Sequence, residues 1–518
     1  MIKILLVVLL LVVIYDLVQR KHAILRNFPV IGHLRYLLEA VGPELRQYIV
    51  TNNDEERPFS RDQRTWIYTS AKGLNNTFGF GSDNDLEGQA NYVIVKQRTF
   101  PAPEPSQSAR EFDSQHGLPC AKVMGKARGR PQAFRPQSVV NISAMSFGSL
   151  SGPAIEALNR GAAQAGCLHN TGEGGISKHH QHGGSLIWQI GTGYFGCRDE
   201  QGRFDLGRVT DTVSRHPVRA LEIKLSQGAK PGKGGLLPGA KVTAEIAANR
   251  GIPVGKACHS PPAHTAFRDA DELLDFVEKM ADATGLPVGI KSAVGESAFW
   301  EDLARLMGET ERGVDFITID GGEGGTGAAP QVFADHVALP FLRGFSRVHG
   351  IFHDAELTEQ IVFIGAGRLG LPITALTACA MGCDMVNVAR EAMLSIGCIQ
   401  AQRCHTGHCP AGVATQNSWL MRGLDAKDKA PRFANYVAAL RMELLDLSRA
   451  AGSLHPALVD LDDLEILDGG LHGRSARDVF GYEPGWGRPG LSDREAILKI
   501  MKEAGARSPG SPAVPPLH

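Results

Sequence analysis

The chain has 518 residues, of which 43% are hydrophobic and 21% are charged, a composition typical of a globular protein with one large domain or several smaller ones. Its formal net charge of -1, without lysine-rich runs or zinc-finger spacing, argues against a nucleic-acid partner. Nine cysteines, an odd and small number for this length, indicate a reducing compartment and argue against a disulfide framework.

An apolar run opens the chain between Ile4 and Val18 and is interrupted only by Asp16. The run is short for a membrane span, which needs about 20 residues, but the small-residue cleavage site of a signal peptide does not follow it. Because several basic residues follow the run and only Lys3 precedes it, the positive-inside rule would leave the rest of the chain in the cytoplasm. We therefore predict a membrane anchor at residues 1–22, with the catalytic domain on the cytoplasmic side. A buried or interfacial helix is the alternative.

The sequence changes character after residue 136. Residues 23–136 form a lead-in, first basic and then polar, in which we expect little regular structure. Between residues 137 and 450, short β-branched runs alternate with alanine-rich helical stretches. We expect residues 451–518 to form a C-terminal helical extension that ends in a disordered tail rich in proline, serine and glycine.

Eight strand–helix alternations in this central region predict an α/β fold of the (β/α)8 TIM-barrel type. The predicted strands are Val139–Ala144, Leu168–Thr171, Ala220–Lys224, Ile252–Lys256, Val288–Lys291, Phe316–Asp320, Ile361–Gly365 and Met385–Ala389. In such barrels the functional residues lie at the C-terminal ends of the strands. Glycine-rich and polar clusters follow those ends in this sequence, so we expect the functional site there.

One glycine-rich segment follows the predicted strand Phe316–Asp320. Its members Gly324, Gly325 and Gly327 could expose consecutive backbone N–H groups, because no side chain obstructs them. Such arrays of N–H groups bind anions such as a phosphate or a carboxylate. We therefore predict an anion-binding loop, with an ordinary flexible turn as the alternative.

The next predicted strand runs into Gly-Ala-Gly-Arg-Leu-Gly, beginning at Gly365, which spells the G-x-G-x-x-G pattern of Rossmann dinucleotide sites. The acidic residue of that motif should close a second strand, but Asp384 precedes the next predicted strand. We favour a barrel loop that binds a flavin phosphate through Gly365 and Gly367. Arg368 in this loop, and Arg390 after the last predicted strand, would neutralise the phosphate.

Two lysines, Lys224 and Lys291, end short apolar strands. A lysine at a strand end inside a barrel mouth can stabilise negative charge on a reduced flavin, so both are cofactor-binding candidates and Lys224 is also a catalytic one. The alternative is a lysine whose ammonium group reaches solvent. The polar loop after Lys224 contains Gln227, a further cofactor-binding candidate, and Lys230, which would contact either an anionic substrate or water.

The most specific signal is a trio of cysteines, Cys398, Cys404 and Cys409, in one polar loop after the last predicted strand. Soft thiolates brought together by a loop are the usual ligands of iron–sulfur clusters. Three thiolates with no obvious fourth suit a three-iron cluster better than a four-iron one. One alternative is a zinc site completed by His405 or His408, although the spacing matches no common zinc motif. The other is three buried free cysteines.

Together these motifs resemble the FMN-binding domain of glutamate synthase over roughly half of the chain. The matching segments are Ile142–Gly148, Asn170–Gly175, Leu221–Gly232, Gly324–Pro330 and Cys404–Gln416. The resemblance implies a barrel that carries FMN beside a 3Fe-4S iron–sulfur cluster. It also implies the reduction of the imine formed from 2-oxoglutarate and ammonia to L-glutamate.

The resemblance assigns roles to individual residues. It implies that Cys398, Cys404 and Cys409 bind the cluster, and that Glu173 and Lys230 belong to the active-site mouth. The residues that would line the FMN are Ser143, Ala144, Met145 and Ser146. The implied partners are a 2-oxo or imino acid with ammonia or an amine, and an electron donor that is either ferredoxin or an NAD(P)H-dependent reductase.

The sequence departs from the family pattern in three respects. It lacks the N-terminal cysteine of a glutaminase domain, so we expect free ammonia, an amine or a separate amidotransferase as the nitrogen source. The C-terminal β-helix domain of the large synthases is also not expected. Tyr194 replaces an arginine, and a Pro-Pro-His-His pattern is altered to end in Ala263 and His264.

Loss of a cationic carboxylate clamp at position 194 favours a related enzyme for another amino or imino acid, of the N-methylglutamate synthase type. A non-catalytic membrane scaffold is a further alternative. The cysteine trio argues against it, because a scaffold does not need thiolates at cluster spacing.

Overall fold

The computed structural model describes residues 2–77, 79–103, 118–470 and 472–505, so the predicted disordered tail lies outside the described part. The chain divides into two compact units, Met1–Thr65 and Trp66–His518. The strands are β1 Tyr92–Val95, β2 Val140–Ile142, β3 His169–Asn170, β4 Leu186–Ile190, β5 Val218–Lys224, β6 Leu236–Leu237, β7 Cys258–His259, β8 Val288–Ser292, β9 Phe316–Asp320, β10 Val362–Ala366, β11 Met385–Val388, β12 Leu464–Leu467 and β13 Gly473–Ser475. The α-helices are α1 Ile2–Val18, α2 Ala23–Asn27, α3 Gly32–Leu45, α4 Arg61–Ala71, α5 Gly152–Ala165, α6 Leu206–Arg215, α7 Ala244–Arg250, α8 Ala270–Thr284, α9 Ala298–Glu309, α10 Gln331–His336, α11 Phe341–Asp354, α12 Pro372–Ala380, α13 Arg390–Ser395, α14 Ser418–Met421, α15 Ala426–Ala450, α16 Ala476–Phe480 and α17 Leu491–Gly505.

The first unit begins with α1, a helix of 17 residues whose apolar side chains are mostly exposed. At about 1.5 Å per residue it spans about 25 Å, less than the roughly 30 Å of a hydrocarbon core. Its Asp16 is buried, accepts the Val30 N–H at 2.9 Å and lies 2.9 Å from His33 Nε2. Across the described residues, no helix has both the length and the apolar character needed to cross a membrane. The predicted membrane anchor at residues 1–22, and the membrane-anchored localisation with it, are therefore wrong.

Eight parallel strands of the second unit close into a barrel, which confirms the predicted (β/α)8 fold. Around the barrel their order is β2, β3, β4, β5, β8, β9, β10 and β11, and β11 pairs back onto β2. Seven of the eight predicted strand runs coincide with these strands. The exception, Ile252–Lys256, is irregular, and β4 is the strand that the sequence analysis missed. In the connection between β5 and β8, β6 and β7 form a separate two-stranded antiparallel sheet.

A hairpin-like segment closes the N-terminal end of the barrel. Met124 and Phe134 pair across it, and each donates its N–H to the other's carbonyl oxygen, at 2.9 and 3.1 Å. Their side chains belong to a buried cluster with Cys120, which precedes the segment, and with barrel residues mostly at or near the starts of the strands, namely Leu168, Ile187, Ala220, Phe316, Val362, Ile364 and Met385. Because apolar side chains fill this end, a ligand is expected at the opposite end, where the strands finish.

The C-terminal part adds a long helix and a small sheet to the barrel. The 25-residue α15 packs closely against α5, so that a Cβ at Gly161 would lie 2.7 Å from Ala430 O. Also from α15, Tyr436 donates its hydroxyl to Gly370 O at 2.7 Å, in the loop after β10. β12 pairs antiparallel with both β1 and β13, so a strand from before the barrel and two from after it form one sheet.

A buried ion-pair cluster near the start of β9 gives a stability prediction. Arg130, whose side chain is 7% exposed, lies 3.0 Å from Asp315 through Nε and 2.6 Å from Glu278 through Nη1. Replacing Arg130 by methionine would remove the cation that is hydrogen-bonded to both carboxylates, so we expect a loss of roughly 3–5 kcal/mol in the free energy of unfolding, measured by urea titration. Arg312→Met, which breaks more exposed pairs with two aspartates, is the control and should cost less than about 1 kcal/mol. Equal losses in the two variants would contradict this account.

Candidate active site

The residues predicted for catalysis and cofactor binding converge at the C-terminal ends of the barrel strands. Glu173 follows β3, Lys224 ends β5, Lys291 lies near the end of β8, and Asp320 ends β9. Lys224 and Lys291 are paired in register between β5 and β8, so their side chains emerge on the same face of the sheet. The predicted strand order had placed Ile252–Lys256 between them, whereas the structure makes the two lysines neighbours.

A salt bridge joins two of the catalytic candidates. Lys224 Nζ lies 2.7 Å from Glu173 Oε1 and donates a second hydrogen bond of 2.7 Å to Gln227 Oε1. The side chains of Lys224 and Glu173 are 11% and 19% exposed. Burial raises the pKa of Glu173, but the charges of Lys224, Arg250 and Lys230 outweigh burial and leave that pKa below its ordinary value. Glu173 is therefore ionised at neutral pH.

Two further cations lie close to this pair. Lys230 is 5% exposed, and burial lowers its pKa although Glu173 opposes the shift. Arg250, which sequence reasoning missed, ends α7 and is 6% exposed. Its Nη2 donates to Phe147 O at 3.1 Å and lies 3.4 Å from Ser146 Oγ, while its Nε has no hydrogen-bond partner among the described residues. An acidic ligand would therefore meet several positive charges here.

The loop after β2 carries the predicted FMN-lining residues Ser143, Ala144, Met145 and Ser146. Ser143 donates its N–H to Val388 O, at the end of β11, at 2.9 Å. Gly172, in the loop after β3, has a φ of 66° and lies so close that a Cβ on it would be 2.6 Å from Ser146 N. The structure therefore brings this loop together with the end of β11 and the loop after β3, at the mouth of the barrel.

Asp320 ties the glycine-rich loop to its neighbours. Its carboxylate lies 3.7 Å from Lys291 Nζ and accepts the Gly228 N–H at 3.0 Å. A Cβ at Gly228 would overlap Gly321 O, and a Cβ at Gly321 would lie 2.5 Å from Phe341 Cβ. The loops after β5 and β9 therefore contain glycine where their backbones approach other atoms closely.

The two predicted phosphate-binding arginines lie at this same end of the barrel. Arg390, the first residue of α13, donates to Glu323 O in the loop after β9, and a Cβ at Gly325 would lie 2.8 Å from Arg390 Cδ. Gly367 has a φ of 128°, a conformation that favours glycine, and Arg368 beside it has a φ of 57°. Loops and cations after the last three strands of a barrel fit a phosphate group.

The other predicted glycines are placed differently. A Cβ at Gly324 would lie 3.2 Å from Asp320 Oδ1, so this glycine lies at the mouth of the barrel. Gly327 faces the cysteine loop, where a Cβ would lie 3.5 Å from Cys404 Cβ. Gly365 is packed inside the fold, since a Cβ there would lie 2.8 Å from Phe341 Cζ. The structure therefore does not bring Gly365 to the phosphate-fitting loops.

The Rossmann alternative for Gly365–Gly370 is excluded by the fold. The strand that leads into this motif is β10 of the closed barrel. The carboxylate of Asp384 lies 3.2 Å from Lys122 Nζ and accepts the Phe363 N–H at 2.8 Å, before β11 begins. Asp384 thus lies at the end of the barrel opposite the glycine motif and cannot contact a ribose bound there.

The cysteine loop lies beside the glycine-rich loop. Cys398 and Cys404 are half-buried and Cys409 is buried. Burial raises the pKa of the Cys404 thiol, Cys409 adds to the rise, and the ammonium group of Lys241 opposes it. Lys241 Nζ donates to Cys404 O at 2.7 Å. This cation, missed by sequence reasoning, lies close to two of the three predicted cluster ligands.

The thiol groups of this loop are suitable donors for an iron–sulfur cluster, but their arrangement does not form a metal site. Three thiols within twelve residues are soft donors of the kind that iron–sulfur clusters use. However, within the described ranges no three or more His, Cys, Asp or Glu side chains are arranged so that they could hold a metal ion. Cys404 and Cys409 are near each other, but Cys398 does not complete a three-thiol site with them.

A buried polar layer lies directly beneath Lys224. Glu222, two residues earlier on β5, is fully buried and accepts hydrogen bonds from Asn170 Nδ2 at 2.7 Å, Gln189 Nε2 at 2.6 Å and Thr318 Oγ1 at 2.8 Å. Sequence reasoning missed this layer. Because β3, β4, β5 and β9 each supply one member, the layer fixes the relative positions of strands whose ends carry the site.

A closed (β/α)8 barrel with a charged, glycine-lined mouth and an adjacent thiol loop is compatible with an enzyme that binds a redox cofactor. The chain belongs to the glutamate synthase family, because a family model described as the conserved region in glutamate synthase matches residues 113–454. It is an oxidoreductase of the glutamate synthase type that acts on CH–NH2 donors. This family assignment implies a small-molecule substrate and an electron-donor partner.

Several curated relatives are similar over most of their length. The glutamate synthase large subunit-like protein YerD of Bacillus subtilis (strain 168) is 38% identical over 470 residues, which cover 86% of this chain and 89% of that protein. The archaeal glutamate synthase (NADPH) of Methanocaldococcus jannaschii is 34% identical over 363 residues, 69% of this chain and 68% of that protein. A solved structure of a mandelate oxidase variant with an FMN adduct aligns at 14% identity with a TM-score of 0.43, covering 86% of this chain and 99% of that one. The similarity to the mandelate oxidase structure is too low to indicate a shared function.

Proposed function

We propose that the chain catalyses the FMN-dependent reductive amination of 2-oxoglutarate, through 2-iminoglutarate, to L-glutamate. The observation that carries the proposal is the Glu173–Lys224 pair at the barrel mouth, the same end of the barrel that carries the phosphate-fitting loops. The relatives named as glutamate synthases support this reaction type. When bound, FMN would supply a hydride. A 3Fe-4S cluster, which would need Cys398 to join Cys404 and Cys409, would supply single electrons.

Several residues of the chain would hold the cofactor. Arg368 and Arg390 would neutralise its phosphate, beside the backbone of Gly324, Gly325 and Gly367. The loop Ser143–Ser146 would line the flavin. Lys291, positioned by Asp320, would place a cation where negative charge develops on a reduced flavin. FMN would fit here because loops from several strands meet at one end of the barrel.

The substrate carries two carboxylates, which require positive charge. Besides Lys224, the buried cations Lys230 and Arg250 act on Glu173 through their charges and lower its pKa. Arg250 would supply the guanidinium that Tyr194 does not provide, so the tyrosine does not by itself exclude a dicarboxylic substrate. A general acid works best when its pKa is close to the working pH. Burial lowers the pKa of Lys230, so we assign to Lys230 Nζ the proton that reaches the imine nitrogen.

The ionised Glu173 keeps the side chain of Lys224 oriented. Its carboxylate accepts from Lys224 Nζ at 2.7 Å and cannot itself donate a proton while it is ionised. The second bond of Lys224, to Gln227, fixes the direction of the ammonium group. Lys224 would therefore serve as a fixed positive charge at the reacting centre and Lys230 as the proton donor.

The nitrogen source is tested by assaying the purified chain with a chemically reduced ferredoxin, a panel of 2-oxo acids, and ammonia, methylamine or glutamine in turn. We expect L-glutamate from 2-oxoglutarate and ammonia, without turnover of glutamine unless a separate amidotransferase is added. Turnover of methylamine to an N-methyl amino acid in preference to ammonia would replace the proposed reaction by the N-methylglutamate synthase type. Glutamine-dependent turnover by the chain alone would contradict the proposed nitrogen source.

A further inference from the structure

Tyr194 has a strained backbone at the mouth of the barrel. It lies in the turn after β4, has a φ of 48°, and is 1% exposed. A non-glycine residue persists in this left-handed region only where its surroundings hold it, and such residues cluster at functional sites. With so little exposed surface, Tyr194 cannot bind a substrate carboxylate in the way an arginine at this position would. The contacts of its hydroxyl indicate a different role.

The hydrogen bonds of Tyr194 Oη fix the position of its proton. The backbone N–H groups of Thr265 and Ala266 both donate to this oxygen, each at 3.1 Å. A phenol has one O–H donor and two acceptor lone pairs, so these two donors use both lone pairs. The remaining neighbour is His264 Nδ1, at 3.1 Å. Tyr194 must therefore donate its proton to His264 Nδ1.

The hydrogen-bond partners of the two ring nitrogens also fix the tautomer of His264. Burial lowers the pKa of His264 to about 4, so the ring is neutral at physiological pH and carries one proton. Because Nδ1 accepts from Tyr194, that proton is on Nε2. His264 Nε2 lies 2.9 Å from Lys224 O and therefore donates to it. A chain of hydrogen bonds thus leads from Tyr194 through His264 to the backbone of Lys224.

We propose that Tyr194 is a positioning residue. By donating to Nδ1, its hydroxyl fixes the ring of His264 and reinforces the Nε2–H tautomer that the carbonyl of Lys224 also favours, and His264 in turn holds that carbonyl and so places the Lys224–Glu173 pair. The catalytic importance of the Lys224–Glu173 pair rests on the proposed function. In the other tautomer a lone pair on Nε2 would face the carbonyl oxygen of Lys224, and the two acceptors would repel each other. The backbone at the end of β5 would then move, and with it the ammonium group that Glu173 and Gln227 orient.

The experiment separates this role from simple loss of packing. Tyr194→Phe removes the hydroxyl and retains the buried ring. His264→Gln retains an N–H donor on a side chain that has no tautomers, so its bond to Lys224 O does not depend on Tyr194. Thr192→Val is the matched control, because it removes a different bond between the same two segments, from Thr192 Oγ1 to Pro261 O at 2.7 Å.

We expect Tyr194→Phe to lower kcat by roughly 10- to 100-fold with little change in KM, because small displacements of catalytic groups act mainly on the reacting state. In the His264→Gln background the same substitution should change kcat by less than about 3-fold, since the two residues act in series. Thr192→Val should retain kcat close to that of the unmodified protein. The proposal is overturned if Tyr194→Phe lowers kcat equally in both backgrounds, or if Thr192→Val lowers it as much.

A second measurement does not depend on the reaction. The 15N chemical shifts of histidine-labelled protein report which ring nitrogen is protonated, and the His264 signal is assigned by its loss in His264→Gln. We expect the Nε2–H form in the unmodified protein, and in Tyr194→Phe a changed chemical shift of Nδ1, because that nitrogen loses its O–H donor. An Nδ1–H form in the unmodified protein overturns the inference. If the tautomers behave as expected but no amino acid is formed in any assay, the proposed function fails while the tautomer assignment of His264 stands.

Discussion

Replacing Cys404 by serine is expected to abolish iron and acid-labile sulfide in anaerobically purified protein and to abolish turnover that depends on an electron donor. A serine oxygen is a poor replacement for a soft thiolate, and three thiolates leave no spare ligand. The flavin content should also fall, because the cysteine loop contacts the glycine-rich loop through Gly327. Elemental analysis of the unmodified protein should find about three irons per chain and little zinc.

The control for this variant is Cys379→Ser. Cys379 is buried in α12, and a serine there can bond to the helix backbone, so iron, sulfide and turnover should be retained. The outcome also settles the geometry of the loop. A cluster would require Cys398 to join Cys404 and Cys409 in a way that the described geometry does not show. One zinc per chain, or full activity without metal, would show that the cysteines do not form an electron relay.

Replacing Lys224 by methionine is expected to lower kcat by about 100- to 1,000-fold, the usual effect of removing one preorganised electrostatic group. The substitution removes the cation that lies 2.7 Å from Glu173 Oε1. Burial raises the pKa of Glu173 and Lys224 is the largest opposing influence, so the pKa of Glu173 should rise in the variant. As the pH is lowered, a rate that depends on ionised Glu173 should therefore begin to fall at a higher pH in the variant than in the unmodified protein.

Lys233→Met is the matched control for that prediction. Lys233 lies in the same loop region, is exposed, and has its ammonium group 5.1 Å from the centre of the Phe333 ring. The same substitution there should change kcat by less than about 3-fold. If Lys224→Met and Lys233→Met have similar effects on kcat, the pair with Glu173 does not contribute specifically to the reaction.

The barrel could be predicted from the sequence because local patterns determine most of it. The one wrong strand, Ile252–Lys256, contains Pro253 and Gly255, which disfavour a strand interior. The missed strand β4 reads Leu-Ile-Trp-Gln-Ile and follows two glycines and a serine, which was an available signal. The two errors left the count at eight but changed the neighbours, so the contact between the strands of Lys224 and Lys291 could not be foreseen.

The candidate site was predictable only where a strand end carries the residue. Lys224 and Lys291 lie at the ends of strands, and Glu173 and the glycine-rich loops come shortly after strands, so a strand assignment places them. Arg250 lies in a helix within the β5–β8 connection and reaches the mouth only through tertiary packing. The layer around Glu222 needs partners from three other strands, and periodicity contains no information about such partners. The role of Tyr194 likewise depends on contacts with residues some 70 positions away.

The membrane anchor was wrong for a different reason. Its prediction used the hydropathy of the run and the charges around it, both of which are properties of the sequence alone. The structure ends the helix at Val18 and ties Asp16 to Val30 and His33. A run that stops after 17 helical residues and contains a carboxylate with local partners does not meet the length that a membrane span needs.

The central claim, flavin-dependent reductive amination at the barrel mouth, is tested most directly by a single turnover. Anaerobic protein is photoreduced, mixed with 2-oxoglutarate and ammonia, and followed by flavin absorbance while the products are quantified. The account predicts that the released flavin is FMN, that its reoxidation requires both substrates, and that one L-glutamate forms for each flavin reoxidised. Reoxidation without glutamate formation, a bound cofactor that is NAD, or the absence of any flavin would contradict it.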